Sequence, residues 1–190
     1  MSTTIPPFRT PAHRSTPAAA IEAYVRGKDG NRPHLLRAAF TETAHLTMRV
    51  HTSGISFPGG ATGRPAIADL LVRRFNQTWE NIYTLCIGYP PKDNVESFTC
   101  DWLVAMSAKE DGGARAGCGR YDWAFDHDTG LAHSLTITIT AMESVACDVE
   151  EMTSWTAALP YPWCQAGAVK LGAPDTAALS EVLERLRPRY

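Results

Sequence analysis

Asp101 is a carboxylate set in a strand-like run that is otherwise largely apolar. Phe98, Cys100, Trp102, Val104 and Met106 alternate with Thr99, Asp101, Leu103 and Ala105, the period of two that a β-strand imposes on its faces. A carboxylate among apolar neighbours is either held by a partner or available to move a proton, and parity separates the two cases. If Trp102 faces the interior, Asp101 lies on the opposite face, paired at an interface or in water. With the parity reversed, Asp101 becomes the candidate base. Asp122 faces the same choice against Tyr121 and Trp123.

The stretch that follows is an aromatic ribbon. Tyr121, Trp123 and Phe125 share one strand face, and the Asp128-Thr129-Gly130 turn folds that strand onto another. The second arm carries Leu135, Ile137 and Ile139 on one face and Thr136, Thr138 and Thr140 on the other. With Tyr24, Tyr83 and Trp102 these rings suit the wall of a pocket for a small apolar molecule, and a phenol can donate to a developing oxyanion.

Other chemistries find no support in the spacing. Cys86, Cys100, Cys118, Cys147 and Cys164 are widely separated and form no Cys-x-x-Cys pair, so they suggest neither a zinc site nor a disulfide scaffold. Cys86, Cys100 and Cys118 read as small hydrophobes in apolar runs. His34 and His45 lack a third ligand at metal spacing, and His127 and His133 lie at turns. Gly59, Gly60 and Gly63 make neither a dinucleotide fingerprint nor a phosphate loop. No serine sits in a nucleophile elbow. No metal and no cofactor are expected.

These side chains need a scaffold, and the chain is long enough to supply one. Its 190 residues, 44% hydrophobic and 20% charged, suit one domain with an appendage. A net charge of -2 gives no footprint for nucleic acid or an anionic membrane. No apolar run is long enough to span a bilayer, and residues 1–15 lack the charged start and apolar core of a signal peptide. They read as a flexible tail, with a cytoplasmic location expected.

Thr16 is a good N-cap and Pro17 is pre-set for a first helical position; Ile21, Tyr24 and Val25 then recur at helical spacing. A short helix is predicted near Asn31 or Pro33. His45 to His51 alternates with Leu46, Met48 and Val50 on one strand face. Arg64-Pro65 opens a helix carrying Ile67, Leu70, Leu71 and Phe75. Strands follow over 81–89, 98–106 and the aromatic hairpin. Helices first and last around an antiparallel meander argue an α+β fold, with helices packed on one face of a curved sheet. In the tail, Pro160 and Pro162 exclude a central strand. Asp175 is predicted to cap a terminal helix bearing Leu179, Val182, Leu183 and Leu186. Residues 149–190 are expected to pack on the domain of residues 16–148 or on a partner.

Ile21-Glu-Ala-Tyr24, Leu36 through Phe40-Thr-Glu-Thr-Ala44, Gly63-Arg-Pro-Ala-Ile67 and Gly119-Arg-Tyr-Asp-Trp-Ala-Phe125 together resemble the nuclear-transport-factor-2-like superfamily. This is the cone-shaped α+β fold of ketosteroid isomerase, scytalone dehydratase and SnoaL-like polyketide cyclases. The resemblance spans about residues 17 to 145. It implies a hydrophobic pocket between helices and concave sheet, and a homodimer through the other sheet face. It further implies that Tyr24 stands near a family donor and that Tyr121 falls near a second, acidic donor of the isomerases. The isomerase base position holds Met48, a pocket residue that cannot accept a proton. In the dehydratase pattern, Arg26 replaces the catalytic-type aspartate, while Lys28-Asp29 matches a family sequence feature.

Two functions stay open at this point. One is a cofactor-free isomerase or lyase, of dehydratase or cyclase type, using Tyr24, Tyr121 and Asp101. The other is a non-catalytic ligand-binding or oligomerisation module. A roomy cavity holding an acid favours the first; a small, occluded cavity favours the second.

Overall fold

The computed structural model describes residues 14–92 and 94–187; most of the expected N-terminal tail lies outside the described residues. Helix α1 (Pro17–Asp29) begins where Thr16 accepts the Ala19 N–H at 3.2 Å, with Pro17 at its first turn. A 3-10 turn (Pro33–Ala38) leads into strand β1 (Phe40–Val50), and β2 (Gly60–Thr62) folds back on β1. The helix opened by Arg64-Pro65 has three parts: α2 (Arg64–Ala68), a π-helical segment (Asp69–Arg74) and α3 (Phe75–Thr78). Strands β3 (Trp79–Ile87), β4 (Ser97–Ala108), β5 (Ala114–Phe125) and β6 (Ala132–Ser144) form the meander.

The seven strands lie in the order β2-β1-β6-β5-β4-β3-β7. The meander is antiparallel, as its hairpin turns require. Two pairings are parallel: β1 with β6, and β3 with the two-residue β7 (Trp163–Cys164). The sheet is therefore mixed.

Its two faces serve two cores. On the concave face, Tyr24, Val25, Phe40, Ile67, Leu71, Met48, Trp102, Tyr121 and Trp123 pack together with α1 and the α2–α3 helix. On the convex face, Leu85, Leu103, Ala105, Ala116, Cys118 and Ala141 meet the C-terminal segment through Met152, Trp155, Leu179, Val182 and Leu183. That segment comprises α4 (Val149–Ala157), β7, α5 (Ala166–Val169) and α6 (Ala177–Glu184). The fold is α+β with a cone-like N-terminal part, and the C-terminal helices add a third layer.

The predicted stripe Leu179, Val182, Leu183 and Leu186 is buried on that convex face. The cap of α6 is Thr176, one residue past the expected Asp175, because the Thr176 hydroxyl accepts the Leu179 N–H at 3.3 Å. Where the C-terminal helices lie, the convex face is covered by this chain itself. All five cysteines are free thiols. No helix is long and apolar enough to cross a membrane among the described residues.

Candidate functional site

Helical spacing puts Tyr24 and Lys28 on the same face of α1, one turn apart, and both are buried. They meet Met48 of β1, Trp102 of β4 and Tyr121 of β5 on the concave face. Leu71 and Phe75 close one side, and Ile55 and Phe57, from the connection between β1 and β2, close another. The cavity they enclose measures about 40 Å³. Pockets for drug-sized ligands run to roughly 300–1,000 Å³, so this one holds about one or two waters.

The aromatic wall depends on a glycine. Gly119 of β5 stands directly opposite Trp102 of β4. A Cβ on Gly119 would come within 2.7 Å of the Trp102 ring and 1.8 Å of the Thr138 carbonyl oxygen. Its absence lets the indole lie over β5 and stack on Tyr121, with centroids 5.6 Å apart and planes at 26°. The Trp102 indole N–H is buried without a hydrogen-bond partner among the described residues.

Tyr24 and Tyr121 meet edge to face, with ring centroids 5.8 Å apart. Burial is the main force pushing both phenols well above the ordinary value of 10.0. Both are therefore protonated at neutral pH and serve as donors.

A polar corner borders the cavity. The Lys28 ammonium donates to Asp29 Oδ1 at 2.6 Å and to Thr84 Oγ1 at 2.7 Å, and sits 5.0 Å from the centre of the Phe75 ring. Asp29 also accepts the Thr84 hydroxyl on Oδ1 at 2.9 Å. On Oδ2 it accepts the Thr84 N–H at 2.7 Å and the Tyr161 hydroxyl at 3.0 Å. A carboxylate offers about four lone-pair sites, and these four donors occupy them. Asn76 fixes the end of α1 from below, donating to the Lys28 and Val72 carbonyls at 2.8 Å each. Tyr161 is held in turn by the Arg26 guanidinium, 5.3 Å above its ring.

Of the residues singled out in the sequence, Tyr24, Tyr121, Trp102 and Met48 come together at the cavity. Trp123 and Phe125 extend the aromatic row, stacked at 6.1 Å and 10°, but lie beyond the cavity, in the core against Phe40. Tyr83 is not a cavity wall: it shares strand parity with Leu85 and Ile87 and packs edge-on against Tyr161 at 6.1 Å. Asp101 is the larger correction. Trp102 faces the concave side, so Asp101 faces the convex side, where it is 6% exposed and accepts the Arg187 N–H at 3.0 Å. The sheet separates it from both tyrosines, and it cannot share a substrate with them.

Thr84 and Tyr161 did not emerge as site residues from the sequence, and Lys28 and Asp29 emerged only as part of a family resemblance. Lys28 carried a usable signal, because Ile21, Tyr24 and Lys28 fall at i, i+3 and i+7 on the buried stripe. Tyr161 carried none, being joined to Asp29 only through the tertiary fold. Among the described residues, no group of three His, Cys, Asp or Glu side chains could hold a metal ion.

No protein-family model matches the chain, and no curated protein matches it in sequence. Solved structures do match it in fold. An NTF2-like protein from Burkholderia thailandensis superposes with a TM-score of 0.51 at 14% identity, covering 65% of this chain and 90% of that one. The Δ5-3-ketosteroid isomerase from Mycobacterium sp. gives 0.52 at 15% identity, covering 68% and 98%. A hexachlorocyclohexane dehydrochlorinase gives 0.53 at 14% identity, covering 68% and 88%.

Proposed function

Because the chain has the nuclear-transport-factor-2-like fold, we propose that it binds a small, largely apolar molecule through an oxygen acceptor, in the cavity between α1 and the concave sheet. One observation carries this reading: a cavity with an almost wholly apolar surface has three donor-bearing residues in its lining. Tyr24, Tyr121 and Lys28 are among the residues that line it, with the buried Trp102 ring on the same wall. The acid beside them, Asp29, is filled by four donors. Such a set suits a ketone, phenolate or carboxylate oxygen and leaves no group free to take a proton. The cavity's size sets a second condition. A ligand of more than a few atoms enters when Ile55 and Phe57 swing out, since the remaining walls belong to the sheet and helices.

Calorimetric titration with cyclic enones, phenols and short aromatic acids tests this. Saturable one-to-one binding is expected, weakened about tenfold in Tyr121→Phe, the loss of roughly one good hydrogen bond. If no compound saturates, or if binding ignores both Tyr121→Phe and Trp102→Phe, the proposal fails.

A second reading has one specific observation in its favour. Asp29 stands beside the cavity, and one of its four donors, Tyr161, comes from the C-terminal segment. Fold neighbours include an isomerase and a dehydrochlorinase. In an isomerase- or lyase-type reaction, Asp29 would take a proton once Tyr161 had withdrawn, with Tyr24 and Tyr121 holding the enolate oxygen. Deuterium exchange at the α-carbon of a bound ketone, followed by NMR, should then rise in Tyr161→Phe and vanish in Asp29→Asn. Equal background exchange in both variants leaves binding alone.

A further inference from the structure

The convex face carries a charged site independent of the concave cavity. Strand register places Arg49 of β1 beside Thr138 of β6, Thr138 beside Arg120 of β5, and Arg120 beside Asp101 of β4. Arg49 follows Met48, which faces the concave cavity, so this row belongs to the convex side. Neighbouring strands lie about 4.8 Å apart, so two arginines stand on either side of one threonine. The chain just after α6 brings Arg185 and Arg187 over the same place. With His51, these residues surround a cleft of about 350 Å³.

Two features of the cleft ask for an anion. Among the described residues, Asp101 accepts the Arg187 backbone N–H and Asp122 accepts from Arg120 Nε at 3.0 Å, so two acids stand against the four arginines that line the cleft. Like charges gathered this way repel one another unless a counter-charge joins them. The Thr138 hydroxyl oxygen is also buried without a hydrogen-bond partner among the described residues, and Thr138 lines the cleft. A buried hydroxyl left unsatisfied is destabilising unless a ligand supplies its partner.

We propose that this cleft binds a phosphoryl dianion, either free phosphate or a phosphate monoester. Among the described residues, the excess of two positive charges matches a dianion, and guanidinium forks pair with phosphate oxygens two at a time. The arginines come from β1, β5 and the end of the chain, so they approach a tetrahedral group from different sides. Leu186 and Cys118 line the cleft as well and give an ester substituent an apolar contact. Nucleic acid is the weaker fit, because the cations are gathered in one cleft and the whole chain has a net charge of -2.

Isothermal titration of the full chain at low ionic strength tests the proposal, with inorganic phosphate, phenyl phosphate and benzoate as probes. One saturable site for the phosphates is expected, with a Kd of about 1 mM or below and benzoate much weaker. Arg49→Gln and Arg185→Gln should each weaken phosphate binding at least roughly fivefold. Thr138→Val should weaken it less, and the remote Arg73→Gln should not change it. All four substitutions are at solvent-facing or partly exposed positions, and thermal melts check that the variants remain folded. Tighter binding of phenyl phosphate assigns the site to a monoester; equal binding assigns it to free phosphate. Absence of saturation, equal binding of benzoate, or equal losses in Arg73→Gln and Arg185→Gln would overturn the proposal. So would an oligonucleotide that outcompetes both phosphates.

Discussion

Lys28 and Asp29 are consecutive residues whose side chains are only 7% and 5% exposed. Removing one member of such a pair leaves the other buried and uncompensated, at a cost of about 3–5 kcal/mol, whereas removing both costs far less. Urea denaturation of Asp29→Ala, Lys28→Met and the double variant should therefore show strong non-additivity, the double variant being more stable than Asp29→Ala. Simple addition of the two losses would mean that the pair is not coupled. At this scale the sequence was partly legible. The helical spacing of Ile21, Tyr24 and Val25 located the buried stripe, while the strand alternation around Asp101 left two faces open. What alternation lacks is a reference for which face is inside, and Trp102 supplies it only once helix α1 is in place.

The elements were more legible than their pairing. Alternation over Tyr121 to Phe125 and Leu135 to Ile139 announced the β5–β6 hairpin, and the structure pairs Tyr121 with Ile137 and Trp123 with Leu135. The parallel pairing of β1 with β6 is long-range and leaves no local pattern, so it could not be read. The same holds for the π-helical segment Asp69–Arg74, since apolar spacing does not separate α from π over so short a run. Gly119 shows how one position ties strands together. Gly119→Ala should force β5 away from the Thr138 carbonyl and push the Trp102 ring, costing about 1–3 kcal/mol by overpacking. Chemical denaturation measures the loss, and near-ultraviolet circular dichroism should register the disturbed Trp102–Tyr121 stack. An unchanged aromatic spectrum would count against this account of the wall.

For the whole molecule, the C-terminal segment decides what the convex face can do. Leu179, Val182, Leu183 and Trp155 occupy it, and β7 pairs with the free edge of β3, a protection that sheet edges commonly need. The chain should run as a monomer of 20.7 kDa in light scattering after size exclusion, and a stable dimer at micromolar concentration would contradict this. The sequence indicated that residues 149–190 pack somewhere, because two tryptophans and an amphipathic helix make a poor disordered tail. It could not say that they cover one sheet face and reach round the edge to the other, where Tyr161 closes the donor set of Asp29 and the Trp163 indole donates to Glu22 at 3.1 Å. That reach has a thermodynamic consequence. On the isomerase- or lyase-type reading, the fraction of molecules in which Tyr161 has left Asp29 is a population, and the reactivity proposed for that carboxylate is scaled down by this fraction. A ligand or partner that prefers the departed state would raise the fraction by its differential affinity alone, so on that reading the proposed chemistry on one side of the sheet is set by how firmly residues 149–187 stay docked on the other.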